Sequence, residues 1–263
     1  MKKASSMQLK NIRVLLKEKK ARDFEGLFVA EGEKIVRDAA LKGHSVDSVF
    51  VSRAFAESAE NGEFILGLEK RGVPVFLAAD SKFDKISSLQ HSQGVLAVIK
   101  KPDASRNVFP GSEGGPIVLC DGIQDPGNLG TIVRTSAAMG VSSVMLVGDC
   151  ADIFNPKVVR ASSGAVLDVP VSEFALPEVD RLKQEGYRLF ASRVSGKKSA
   201  DISGIKDIPA KCIVAFGSEG RGISPEILDR ADQLFFIPTS EKVESLNVTS
   251  AVAITLYAIR RGK

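Results

Sequence analysis

From Ile117 onward the chain alternates short apolar runs, IVLCDG, SSVMLVG, DVPV, YRLFAS, CIVAFG and QLFFIP, with stretches of helical periodicity. Runs this short, rich in Val, Ile and Phe and separated by helices, are how strands buried on both faces read. The alternation predicts an α/β architecture, a mostly parallel sheet with helices on its faces. Helices are expected at about 128–139, near Val158, at about 178–185, at 225–232 and from about Val248 to Arg261. The first hundred residues follow the same rule, with strands at 27–30, 46–51, 74–78 and 94–100. Helices there are expected from Ser6 to about Lys20, at 31–41, at 54–71 and, briefly, at 84–89. Between the halves, KPDASRNVFPGSEGGP at 101–116 breaks every period with three prolines and three glycines. Residues 101–115 therefore read as a linker between a domain at 1–100 and one at 116–263.

Several classes of function are excluded early. No run of roughly 18 uncharged apolar residues exists, which predicts a chain without a membrane span, working in the cytoplasm. Cys120, Cys150 and Cys212 are odd in number and far apart, so they fit neither a disulfide framework nor a zinc site and read as reduced core thiols. His44 and His91 stand apart from acids and cysteines. No metal site and no histidine-based triad is expected. Residues 1–26 carry eight lysines and arginines against three acids, a surplus of five in a chain whose total is +4. Such an asymmetry suits a surface that meets phosphate, and equally a solvated helix face. Lys10, Arg13, Lys17 and Lys20 recur at helical spacing and are the candidate contacts to a phosphate backbone.

The tetrapeptide GSEG occurs twice. Its first copy, Gly111–Gly114, lies in the linker and reads as a spacer. The second, Gly217–Gly220, follows the strand CIVAF and precedes a helix opening at Ser224-Pro225. A glycine loop at the carboxyl end of a parallel strand is a usual ligand position, although a tight turn explains the letters as well. Two further strand ends carry unusual residues. In DGIQDPGNLGTIVRTSAAMG at 121–140, Arg134 is either a surface arginine or, reaching back toward Asn128, a phosphate clamp. In IPTSEKVESLNVTSA at 237–251, either Ser245 or Asn247 serves as an N-cap; capping accounts for one of them better than for both. The helix that follows is apolar around most of its girth and needs cover from its own sheet or from a second subunit.

Taken in order, NLGTIVRT at 128–135, FGSEGRGIS at 216–224 and IP…ESLNVTSA at 237–251 resemble the SpoU (TrmH-like) RNA ribose 2′-O-methyltransferases of the SPOUT superfamily. FVAEGEKIVRDA at 28–39 and QGVLAVIK at 93–100 resemble the L30e-like RNA-binding domain that precedes the catalytic domain in many members. The resemblance implies a catalytic domain with a C-terminal trefoil knot that holds S-adenosylmethionine, and a homodimer with active sites near the subunit interface. Periodicity suggests no knot, since threaded chains are rare. By position, Gly217, Ile237 and Leu246 fall where the family holds the cofactor, and Asn128, Arg134, Glu219, Ser245 and Asn247 match its active-site residues. The chain departs from the family at Ser218, Thr239, Glu241 and Thr249, where Asn, Met, Gly and Ser are common. A side chain at Glu241 would narrow the cofactor loop.

Methyl transfer from a sulfonium requires an acceptor oxygen held in line and relieved of its proton, with no metal. An arginine is a poor base, so Arg134 reads as a clamp on the phosphate beside the target ribose, with Glu219, Ser245 and Asn247 setting the geometry. The expected substrate is ribosomal RNA, of the large subunit, ahead of tRNA. The alternative is a non-catalytic RNA-binding assembly factor of the same fold. The accessory domain, which selects RNA by loop shape, leaves the nucleotide open.

Overall fold

The computed structural model describes residues 1–102, 114–193, 199–205, 208–240 and 242–261. They form two compact units, one of residues 1–102 together with Phe154–Leu167, the other of the remaining described residues.

The first unit is built on five strands, β1 (Lys2–Lys3), β2 (Leu27–Glu31), β3 (Val46–Ser52), β4 (Val75–Ala78) and β5 (Val95–Lys100), in the order β1-β4-β3-β5-β2. β5 runs antiparallel to both neighbours, while the β1, β4 and β3 pairings are parallel. One face carries Val29, Phe50, Leu96 and Val98 against Ile12, Leu15 and Phe83, each fully buried or nearly so. Burying one such side chain contributes about 1.5–3 kcal/mol.

Helix α1 (Ser6–Lys17) opens with a reciprocal capping box, Gln8 N–H to Ser5 Oγ at 3.2 Å and Ser5 N–H to Gln8 Oε1 at 2.9 Å. The single helix expected to reach Lys20 is broken at Glu18, whose backbone is extended, and α2 (Lys19–Glu25) restarts it. Its last turn explains the break: buried Arg22 donates Nη1–H to the Leu15 carbonyl at 2.6 Å, satisfying an oxygen the ended helix leaves open. The expected helix at 54–71 is likewise two, α4 (Arg53–Glu57) and α5 (Ala59–Lys70), with extended Ser58 between them; α3 (Glu33–Leu41) precedes both. The short helix lies at α6 (Asp80–Phe83) instead of 84–89. The segment after it serves Glu31, whose buried carboxylate accepts from Ser88 N–H (2.9 Å), Ser88 Oγ–H (2.6 Å) and Ser87 Oγ–H. A backbone N–H given to a carboxylate is lost to a helix.

The second unit carries seven strands, β6 (Ile117–Asp121), β7 (Ser143–Val147), β8 (Val171–Glu173), β9 (Arg188–Ser192), β10 (Ser199–Asp201), β11 (Cys212–Gly217) and β12 (Gln233–Phe236). Their order is β10-β12-β9-β11-β6-β7-β8, parallel throughout. Every residue of β6 and β7 is buried, as a sheet covered on both faces requires. Its helices are α7 (Pro126–Met139), α9 (Leu176–Gln184), α10 (Pro225–Leu228) and α11 (Val248–Arg261), while α8 (Pro156–Ala161) belongs to the first unit. The chain runs outward from β6 to β7 and β8, then returns on the other side of β6, so the sheet reverses direction beside β6 and β11.

The linker position at 101–115 assigns residues 154–167 to the C-terminal half, yet α8 and the turn after it group with the first unit. Phe154 packs on Phe28 with ring centroids 4.8 Å apart, Lys101 Nζ sits 4.9 Å from the Phe154 ring, and Arg160 Nη1–H donates to Ser88 Oγ at 2.5 Å. Among the described residues no helix is long and apolar enough to cross a membrane.

Candidate active site

In an open parallel sheet ligands bind beyond the carboxyl ends of the strands where the order reverses. Here those ends are Asp121 and Gly217, paired in register on β6 and β11. Asp121, 8% exposed, accepts the Ser224 N–H on Oδ2 at 2.6 Å and so ties the far end of the glycine loop back to β6. Between these anchors the loop closes on itself: Gly222 N–H donates to the Ser218 carbonyl at 2.8 Å and Arg221 N–H to Ser218 Oγ at 3.3 Å. Gly222 has φ +69°, and a Cβ on Gly217 would lie 2.0 Å from the Gly222 carbonyl carbon. Both glycines are thus required, one by its backbone angle and one by close approach. The same tight turn forms one wall of a cavity of about 520 Å³. Gly217, Glu219, Ser245 and Leu246 lie on that wall, with apolar Phe216, Ile223, Val248 and Ala251.

Three side chains meet at one carboxylate oxygen. Asn128 donates Nδ2–H to Glu219 Oε1 at 2.8 Å, Asn247 donates Nδ2–H to the same oxygen at 2.9 Å, and the two amides approach at 3.4 Å. The amide orientation of Asn247 is set by an unambiguous donor: Oδ1 accepts the Thr249 backbone N–H at 2.8 Å and the Thr249 hydroxyl at 2.6 Å. Asn247 therefore caps α11 with its oxygen and holds Glu219 with its nitrogen. An asparagine supplies both an acceptor and donors, where an aspartate could cap but not donate.

The remaining candidates lie elsewhere. α7 begins at Pro126, two residues earlier than expected, because Asp125 is its cap and takes the Asn128 N–H at 2.8 Å. Six residues on, Arg134 stands about 120° round the helix from Asn128. It is exposed and makes no hydrogen bond or ion pair with any described residue, so the reach back toward Asn128 does not occur. Ile237 follows β12, half-buried and outside the cavity wall. Glu241 lies outside the described residues, as does most of the first GSEG. Lys10, Arg13, Lys17 and Lys20 are exposed on α1 and α2, with Arg13 Nε–H donating to the Lys85 carbonyl at 3.1 Å.

Sequence reasoning missed the anchoring role of Asp121, although Asp-Gly at a strand end signals it, and the cavity-lining Arg193 and Arg221. No cluster suited to a metal exists among the described residues. Burial pushes the Cys120 thiol well above its usual range and raises Cys150, so neither is a ready nucleophile.

Comparison with known proteins identifies relatives over nearly the full length of the two units. Residues 115–257 match the SpoU rRNA Methylase family, and residues 7–97 match an MRM3-like substrate binding domain. An uncharacterized tRNA/rRNA methyltransferase of Synechocystis sp. is 31% identical over 94% of this chain and 88% of its own. The 23S rRNA (guanosine(2553)-2′-O)-methyltransferase RlmP of Bacillus subtilis is 29% identical over 93% of both chains. Among solved structures, the AdoMet-bound rRNA methyltransferase of Sinorhizobium meliloti superposes with a TM-score of 0.85 at 28% identity, covering 99% of this chain and 97% of that one.

Proposed function

This chain belongs to the SpoU rRNA methylase family, and from that premise we propose that it methylates a ribose 2′-oxygen of ribosomal RNA, using S-adenosylmethionine. It is an S-adenosylmethionine-dependent RNA methyltransferase, and its proposed target is large-subunit RNA in the cytoplasm. The observation that carries it is the meeting of Asn128, Glu219 and Asn247 beside a cavity walled by a glycine loop.

The cavity suits the cofactor. Its volume falls within the roughly 300–1,000 Å³ of small-molecule sites, and its wall combines apolar side chains with backbone that only glycine allows. Gly217 and Leu246 would hold S-adenosylmethionine there, with Ile237 on the neighbouring loop; bound, it supplies an activated methyl group. Glu219, fixed by two amides, orients the acceptor ribose beside the cavity, and Ser245 offers a hydroxyl on the same wall. Arg134, exposed and unengaged by described residues, clamps the phosphate next to the target ribose and favours loss of the hydroxyl proton. Arg134→Lys keeps the charge but not the fork, and should lower kcat/KM about 10- to 150-fold, the worth of one charged hydrogen bond. Unchanged steady-state kinetics in that variant would remove the clamp.

We extend the reading to the assembly. Helix α11 leaves Ile254 (42%) and Tyr257 (54%) exposed, which favours a homodimer through the catalytic unit. The insertion of β11 and β12 among earlier strands, with α11 returning to α7, favours the trefoil knot. Lys10, Arg13, Lys17 and Lys20 supply backbone contacts. Reversing Lys10, Lys17 and Lys20 together should flatten the slope of log K against log salt by about 2–3, read by RNA binding between low and moderate salt. An unchanged slope would make this a solvated face.

The reading is tested by transferring labelled methyl from S-adenosylmethionine to separated unmodified rRNA and tRNA, then digesting to nucleosides. Label on a ribose in rRNA is expected. Cofactor binding with no transfer to either pool would favour the assembly-factor alternative.

A further inference from the structure

Phe24 is 92% exposed, the most exposed large apolar side chain among the described residues. It sits on α2, four residues after Lys20, so the ring and that ammonium share one helix face. The acids around it are engaged: Asp23 takes Lys101 Nζ at 2.6 Å and Glu25 takes Asn11 Nδ2–H at 2.9 Å. That second bond draws the end of α2 beside the middle of α1, whose exposed side carries Lys10 and Lys17. Lys10, Lys17 and Lys20 enter no ion pair with a described residue. Buried Arg22, on the other side of α2, fixes the helix by its bond to Leu15, so the outward position of Phe24 is built into the fold.

A flat ring bordered by uncompensated cations matches a polyanion that carries aromatic faces. An apolar protein partner would bury the ring but strand the ammonium groups without counter-charges. A paired RNA helix offers phosphates but keeps its base faces stacked, whereas an unpaired nucleotide offers both. We propose that Phe24 is a stacking platform for an unpaired base of the RNA substrate, with Lys20, Lys17 and Lys10 holding the flanking phosphates. The inference rests on the RNA methyltransferase reading and adds a positioning residue to its substrate-binding unit. Phe24 touches no reacting atom and acts by holding the RNA.

The chain has no tryptophan, so Phe24→Trp creates a single indole reporter on the proposed platform. Its emission should be quenched by in-vitro transcribed large-subunit rRNA and far less by a fully paired RNA duplex at equal phosphate concentration. Phe24→Ala should weaken rRNA binding roughly 5- to 150-fold, with the loss appearing in KM for RNA and the salt slope retained. Phe24→Tyr should restore it. Equal quenching by duplex, or an unaltered KM in Phe24→Ala, overturns the platform. Quenching by rRNA without methyl transfer would leave the platform standing and sink the enzymatic reading; full transfer with a silent Trp reporter would do the reverse.

Discussion

Gly217→Ala is expected to cost the protein the cavity proposed to hold its cofactor. The new methyl would lie 2.0 Å from the Gly222 carbonyl carbon, 2.1 Å from its oxygen and 2.3 Å from the Ile223 nitrogen, all backbone atoms. Backbone cannot swing aside as a side chain does, and Gly217 is itself held in register with Asp121 on β6. Either β11 or the turn through Gly222 must move. Overpacking of this kind costs about 3 kcal/mol, at the upper end of its usual range. If the strain stays in the sheet, the melting temperature of the unit falls by roughly 6–12 °C. If the turn swings out, the cavity wall goes with it and S-adenosylmethionine affinity falls by up to about 150-fold. Thermal melting with and without cofactor, together with calorimetric titration, separates the two. A variant that melts and binds like the wild type would contradict the close approach.

The second large effect is expected of Asn247→Asp. Aspartate caps α11 as well as asparagine does, so the helix start is kept. The donor to Glu219, however, becomes an acceptor about 2.9 Å from Oε1, and two carboxylates now face one another. Like charges at this distance raise the pKa of one of the pair. At neutral pH the Glu219 and Asn247 loops are pushed apart, and a displacement near 1 Å at a positioning network lowers kcat about 100-fold. The sign of the pH dependence follows. Acidification protonates one carboxyl, turns it into a donor and restores the contact, so activity relative to wild type should rise as pH falls. Adding Glu219→Gln returns one amide and one carboxylate to the pair and should recover part of the loss. Neither acid recovery nor rescue by Glu219→Gln would mean that the pair has no positioning role.

These two residues show different depths of legibility. Gly217 stood out in the sequence because a glycine after an apolar strand, ahead of a Ser-Pro helix start, is punctuation of known meaning. Asn247 stood out by local signals as one of two capping candidates, and beyond that by the family resemblance alone. The second function of its amide depends on Glu219, 28 residues earlier, and on Asn128, 119 residues earlier. Arg134 marks the opposite case, since its spacing from Asn128 suggested a reach toward the loop, whereas six residues of helix set it about 120° round from Asn128, where it bonds to no described residue. The break at Glu18 was illegible for a similar reason. Lys-Glu-Lys-Lys is good helix, and the bond from Arg22 to Leu15 across the break is one that helical propensity does not announce.

By itself, the sequence determined what short-range physics controls: apolar runs of strand length, the helices between them, caps and glycine turns, and the three strand ends with unusual residues. Those signals reach a few residues and survive without knowledge of partners. Tertiary structure decided which loops meet. Inserting β11 between β9 and β6 brings Gly217 level with Asp121, and the return of α11 against α7 sets Asn247 beside Asn128. It also decided that residues 154–167 leave their own half to bury Phe154 on Phe28. Such pairings join residues tens to more than a hundred positions apart, and their energy exists only once the sheet order has closed those loops.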